Sequence, residues 1–230
     1  MRQFRTQAII LNRTDYGEAD RIITFLTPDH GKVRAIAKGV RKTKSKLAGG
    51  IELFSVSDIS FIPAKREIST VVSTRLITHY GQIVKDLDRT AAGYEFIKRL
   101  DKATEDAVEP AYFGLLDESF KSLDDNAINL DLIKLWFDAQ LLRLSGHTPN
   151  LRTDKQNHKL DASDKYDFSF ESMTFEPSDD PRYGVDNIKF LRILFSDNLP
   201  QTLAKVKGCQ NLVLTSQPLV QAMLQLYIRI

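Results

Sequence analysis

The sequence predicts an α+β protein of two domains, a small β-barrel followed by a mostly α-helical domain. Over the first 80 residues, short apolar runs alternate with polar residues and are separated by turn sequences, which is typical of strands. From residue 81 onward, apolar residues recur at helical spacing. The charge changes at the same place, because residues 1–80 hold 14 basic and 7 acidic side chains whereas residues 81–150 hold 8 and 13. We therefore predict domains at 1–80 and 81–230 with different surfaces.

Five segments of the first domain have the β-branched and aromatic composition of strands. They cover residues 4–14, 21–27, 32–38, 51–62 and 67–79. A sheet of short strands removes its exposed edges by closing on itself. The pattern therefore favours a five-stranded Greek-key barrel of the OB type, with a β-sandwich as the alternative.

The helical part contains one segment, residues 128–144, that is apolar on two faces. Such a helix is buried on both faces, so we place it at the centre of a small bundle with Trp136 inside. Residues at about 150–182 are polar with scattered aromatic side chains, and they predict an irregular insert with one hairpin. Two further helices are predicted at 185–195 and 219–228.

A basic segment, KVRAIAKGVRKTKSKLAGG at residues 32–50, holds seven cations and no acidic residue. Its first part alternates apolar and charged residues, so a strand would hold Lys32, Arg34 and Lys38 on one surface. A polar connection then carries four further cations. A positively charged groove on a small barrel is typical of proteins that bind single strands. The predicted polyanion-binding set is Arg13, Arg21, Lys32, Arg34, Lys38, Arg41, Lys42, Lys44 and Lys46, with Lys65 and Arg66 as further basic positions near it.

Four aromatic residues of the first domain are candidates to stack on bases: Tyr16, Phe54, Phe61 and Tyr80. Tyr16 lies in a polar turn sequence and is predicted to be the most exposed. For the two phenylalanines, filling the barrel is the more common role.

Motifs for catalysis, metal binding or cofactor binding are absent from the sequence. The four histidines are scattered, with no HExxH, nucleophile elbow or phosphate-binding loop around them or elsewhere. The single cysteine, Cys209, can form neither an internal disulfide nor a cysteine zinc site. We therefore predict a non-enzymatic, cytoplasmic protein with no metal and no cofactor. No apolar run approaches the eighteen or so residues of a membrane span, so no membrane association is expected.

Residues 16–54 resemble the N-terminal barrel of the RecO family of bacterial recombination mediators. The resemblance is carried by Tyr16-Gly17-Glu18-x-Asp20-Arg21, then Thr27 before Gly31-Lys32, then Arg34-Ala35-x-Ala37-Lys38-Gly39, then Ser45-x-Leu47-x-Gly49-Gly50. Further on, GHTPNL at 146–151 is similar to the sequence that precedes a zinc module in many relatives. The paired cysteines of that module are missing here, so the insert is expected to be retained without its metal.

The resemblance implies a mediator that binds single- and double-stranded DNA, promotes strand annealing and helps to load a recombinase. Its implied partners are RecR, the acidic C-terminal tail of single-strand binding protein, and RecA as a functional link. By the same resemblance, the DNA-contacting residues include Lys32, Arg34, Lys38, Arg41, Lys44 and Lys46, and the helical domain holds the tail. The expected location is the cytoplasm, in association with the nucleoid.

Two other functions fit the barrel and its charge. The first is an RNA-binding barrel, which would prefer RNA to matched DNA through the 2′-hydroxyl. The second is a metal-dependent phosphodiesterase, which would need a carboxylate cluster for Mg²⁺. The acids near the basic strand are only Asp15, Glu18, Asp20 and Asp29.

Overall fold

The computed structural model describes residues 2–64, 68–104, 110–161 and 165–228. The predicted fold class is confirmed, because a closed five-stranded barrel is followed by helices. The chain forms two compact units, Met1–Asp125 and Asn126–Ile230. The change from strands to helices falls near residue 80, as expected, but the first unit continues through two helices. The division into domains at 1–80 and 81–230 therefore stays a prediction.

The barrel strands are β1 (Phe4–Tyr16), β2 (Asp20–Thr27), β3 (Gly31–Ala37), β4 (Ser55–Ile62) and β5 (Ser69–His79). They close in the order β1-β2-β3-β5-β4, so the barrel and not the sandwich is the observed architecture. All pairs are antiparallel except β3 with β5, which run parallel. Strand β4 begins later than predicted because Phe54, at φ 53, has a left-handed backbone that no strand passes through.

The barrel interior is filled by the apolar side of each strand. Alternate residues point inward, so small and large side chains from all five strands meet on the axis. The buried set includes Ala8, Ile10, Ile23, Phe25, Ala35, Ala37, Ile59, Phe61 and Val71. This packing leaves the opposite side of each strand for the surface.

Two helices complete the first unit, α1 (Leu87–Ala103) and α2 (Pro110–Asp124). Phe54 directly precedes β4, and its ring packs edge-on against Phe120 of α2, with ring centroids 5.4 Å apart. Tyr80 donates its hydroxyl hydrogen to Asp117 at 2.6 Å. Burial, and then this carboxylate, raise the pKa of Tyr80. These contacts join the helices to the end of the barrel.

The second unit is built on α3 (Leu130–Leu144), with α4 (Val185–Leu194), α5 (Pro200–Leu203) and α6 (Cys209–Tyr227) packed against it. The predicted central helix is confirmed: Trp136 is buried and donates its indole N–H to the Asn198 carbonyl at 2.8 Å. The last helix begins ten residues earlier than predicted and continues through Pro218. Its buried stripe, from Val213 to Leu224, spans the proline, so packing outweighs the local helix-breaking tendency.

The insert contains the one predicted hairpin, β6 (Tyr166–Ser169) with β7 (Thr174–Pro177). Its centre is aromatic, because the Phe175 ring lies 5.1 Å from Phe168 and 5.4 Å from Tyr183. Preceding the hairpin, Asp154 accepts hydrogen bonds from the backbone N–H groups of Gln156 and His158. Within the described ranges, no group of three or more His, Cys, Asp or Glu side chains is placed to hold a metal ion. Aromatic packing and local turns thus organise this cysteine-free segment.

Candidate nucleic-acid interface

The outer face of β1, β2 and β3 carries a polar row. Asn12 pairs with Thr24, and Thr24 pairs with Arg34 on the next strand. Beside this row lies a cleft of about 380 Å³ whose lining also includes Lys32 and Asp101. A barrel face of this kind, polar and partly cationic, is suited to a nucleic-acid strand.

The predicted alternation along β3 is confirmed. Ala35 and Ala37 are fully buried in the barrel, while Arg34 is exposed on the other side. Lys32 shares the outer side, but its Nζ donates to the Asp101 backbone carbonyl at 2.6 Å and to Asp101 Oδ1 at 3.0 Å. The charge of Lys32 is therefore already matched within the protein.

The connection between β3 and β4 is attached to the barrel at both ends. At its start, the Gly39 N–H donates to Asp20 at 2.6 Å, and the Arg41 N–H donates to the Ala19 carbonyl at 2.9 Å. At its end, a Cβ on Gly50 would lie 2.4 Å from Thr74 Cβ, so only glycine allows this approach. The lysines in the middle of the connection are exposed.

Three other predicted cations are also paired with carboxylates. Arg13 lies 2.7 Å from Glu52, Arg21 lies 2.7 Å from Asp15, and Arg41 lies 3.4 Å from the same Asp15. The hydrogen bond from Arg21, with the nearby guanidinium charges, holds the pKa of Asp15 below its usual range. The structure therefore separates the predicted set into paired and unpaired members.

Five members of the set are exposed and, among the residues that the structure describes, make no ion pair. We call them the five exposed cations: Arg34, Lys38, Lys42, Lys44 and Lys46. They follow one another from the outer face of β3 into the β3–β4 connection. Lys65 and Arg66 lie outside the described residues.

Of the four aromatic candidates, only Tyr16 is accessible, with 54% of its surface exposed. Phe54, Phe61 and Tyr80 are buried. Sequence reasoning missed Phe4 and His30, whose rings are half-buried at the opposite end of β3 from the connection. The sequence does not indicate that these two rings lie together, because Phe4 and His30 are 26 positions apart and neither belongs to a recognisable motif.

The acids near the basic strand do not form a cluster for Mg²⁺. Asp15 pairs with arginines, Asp20 accepts the Gly39 N–H, and Asp29 accepts the Thr6 hydroxyl hydrogen. Each of these three carboxylates thus has a structural role of its own. The arrangement gives no support to a phosphodiesterase centre.

Comparison with known proteins identifies the family. Residues 1–80 match the family model described as recombination protein O N terminal. A DNA repair protein RecO of Dehalococcoides mccartyi is 40% identical over 171 residues, which is 74% of this chain and 66% of the relative. The chain belongs to the RecO family.

Two more RecO relatives give the same assignment. The DNA repair protein RecO of Bifidobacterium longum is 36% identical over 66% of this chain and 65% of its own length. The one of a Roseiflexus species is 34% identical over 65% of this chain and 52% of its own length. The chain thus spans about two thirds or less of the RecO proteins it matches. No helix in the described part of the chain is long and apolar enough to cross a membrane.

Proposed function

We propose that this RecO-family protein is a recombinational DNA repair mediator without catalytic activity. In this role it binds single- and double-stranded DNA, promotes annealing, and helps to load a recombinase on strands coated with single-strand binding protein. The five exposed cations carry the proposal, because they are the members of the predicted set whose charge is not already matched by a carboxylate. Contacts to phosphates confer affinity with little sequence preference, as a mediator requires.

The salt dependence of DNA binding tests this proposal. We expect log K for single-stranded DNA to fall against log[salt] with a slope between about −3 and −5, since each phosphate contact contributes roughly −0.7. Replacing Lys42, Lys44 and Lys46 together with alanine should flatten the slope by about 2. Fluorescence anisotropy of a labelled oligonucleotide at several salt concentrations measures it.

A matched control removes three exposed lysines from the second unit, Lys155, Lys159 and Lys165, and should leave the slope unchanged. An equal slope in the wild type and in the variant that lacks Lys42, Lys44 and Lys46 would contradict the assignment of these lysines to the DNA interface. Strong preference for a matched RNA oligomer would instead favour an RNA-binding barrel. Strand cleavage in Mg²⁺ buffer would favour the phosphodiesterase.

The proposed partners are RecR and the acidic tail of single-strand binding protein, with RecA as a functional link. The proposed location is the cytoplasm, in association with the nucleoid. For the tail, the second unit offers a cleft of about 880 Å³ between α4 and the start of α6. Phe190, Ile193 and Leu212 supply apolar lining, and two exposed cations, Lys189 and Lys207, outnumber the one acid, Asp186, at the same cleft. Apolar walls with nearby cations suit a peptide that combines acidic and apolar side chains.

Charge reversal tests this placement. The double substitution Lys189→Glu and Lys207→Glu should weaken binding of a labelled tail peptide at least about tenfold, because two attractive charges become repulsive. The control, Lys155→Glu with Lys159→Glu, makes the same charge change elsewhere in the unit. Equal affinities in both variants would rule out this cleft, and absence of peptide binding by the wild type would rule out the partner itself.

A further inference from the structure

A pocket lies beside the pairing of β3 with β5, where the barrel closes. Among the residues that the structure describes, β3 and β5 pair at Ala35 with Ser69 and at Ile36 with Thr70. The preceding part of β3 has no β5 partner among the described residues, and a pocket of about 310 Å³ opens next to it. We call this the seam pocket; its lining includes Phe4, His30, Val33, Phe61, Pro63 and Ser69.

Three rings meet in the seam pocket. The His30 ring lies 4.7 Å from Phe4 and 5.7 Å from Phe61, measured between centroids. Phe61 is 3% exposed and belongs to the barrel core, whereas Phe4 is half-buried and the His30 side chain is 28% exposed. Part of the His30 and Phe4 ring surface thus lies outside the core, and the Arg2 guanidinium lies 5.2 Å from the centroid of the Phe4 ring.

The same pocket is lined by cationic residues of β3. Arg34 lines both the seam pocket and the cleft on the outer face of the sheet, and it is one of the five exposed cations. Lys32 also lines both, but its ammonium group is held by Asp101. Of these two β3 cations, Arg34 is therefore the one available to a ligand that extends from the outer face into the pocket.

A ring surface next to an unpaired arginine matches the two parts of a nucleotide. Phosphate binding alone requires cations and no rings, whereas stacking of an unpaired base requires an accessible aromatic face. We propose that the seam pocket binds one unpaired base of single-stranded DNA, with the adjoining phosphate on Arg34. This inference rests on the proposed DNA-binding function. It adds to the affinity for single-stranded DNA a contribution that depends on the base. Paired bases are stacked within a duplex and cannot enter the pocket.

An oligomer without bases tests the seam pocket. Wild-type protein should bind a short oligothymidylate about 5- to 150-fold more tightly than a chain of abasic sites of equal length, the range expected for one stacked base. In the variants His30→Ala and Phe4→Leu, the difference in affinity between the two chains should largely disappear. The salt dependence of binding should stay unchanged. His30→Ala leaves the backbone hydrogen bond from the His30 N–H to Thr27 Oγ1 in place. His79→Ala, at an exposed histidine at the end of β5, is the control that should keep the difference.

The outcomes separate this inference from the function on which it rests. If wild-type protein binds both chains equally well, the seam pocket is overturned and DNA binding stands. If the variants lose affinity for both chains alike, the pocket contributes to phosphate binding or folding and the base assignment is overturned. If wild-type protein binds neither chain, the proposed function itself fails.

Discussion

Replacing Phe120 with alanine should lower the free energy of unfolding of the first unit by about 3–5 kcal/mol, the usual loss for a large aromatic side chain in a core. Phe120 is fully buried on α2. Its ring centroid lies 5.4 Å from Phe54 and 5.9 Å from Tyr80, at the end of the barrel. Truncation would leave a cavity among these rings, and both ring contacts would be lost.

Urea denaturation followed by far-ultraviolet circular dichroism measures this effect. The single tryptophan, Trp136, lies in the second unit, so its fluorescence serves as a separate signal for that unit. The control is Tyr94→Ala, which removes a ring 5.2 Å from Phe54 that is 50% exposed. Because less area is buried there, we expect a loss of about 1 kcal/mol. Equal losses in the two variants would contradict the role assigned to Phe120.

Two glycine-to-alanine substitutions should change stability in opposite directions. A Cβ on Gly93 of α1 would lie 2.6 Å from the Phe54 ring, which is itself buried and held by its neighbours. Gly93→Ala should therefore destabilise the first unit by about 1–3 kcal/mol, as overpacking does. Gly114 of α2 is exposed, with no heavy atom within 4 Å of a built Cβ. Gly114→Ala should stabilise the unit by about 0.5–1 kcal/mol, because alanine is the better helix former.

The same urea titration compares the two glycine variants with the wild type. Opposite shifts of the midpoint at an unchanged slope would indicate changes in stability alone. Stabilisation by Gly93→Ala would mean that α1 does not pack against Phe54 as closely as the structure has it. Destabilisation by Gly114→Ala would mean that the outer face of α2 is covered.

The barrel and the central helix of the second unit were predictable from hydrophobic period. On β3, Ala35 and Ala37 alternate with charged residues, and that order alone assigns one side to the core and the other to the surface. Residues 128–144 are apolar on two faces, which predicts burial for Trp136. Such patterns are local, so they can be detected without knowing which segments meet.

The start of the last helix and the extent of the first unit were not predictable in this way. Pro218 disfavours a helix locally, yet α6 passes through it because residues on both sides of the proline pack against other helices. Phe54 leaves the barrel at a left-handed backbone position and meets α2, so the first unit reaches beyond the strands. Both outcomes depend on packing between segments that are distant in sequence.

By itself, the sequence determined the family, the barrel, and the position of the basic segment along the chain, because all three depend on residue order. Only the tertiary structure decided which cations remain unpaired. Arg13 meets Glu52, and Lys32 meets Asp101, across separations of 39 and 69 residues. The field that a phosphate experiences depends on charges near it in space, so the folded arrangement selects five exposed cations from the nine that residue order predicted.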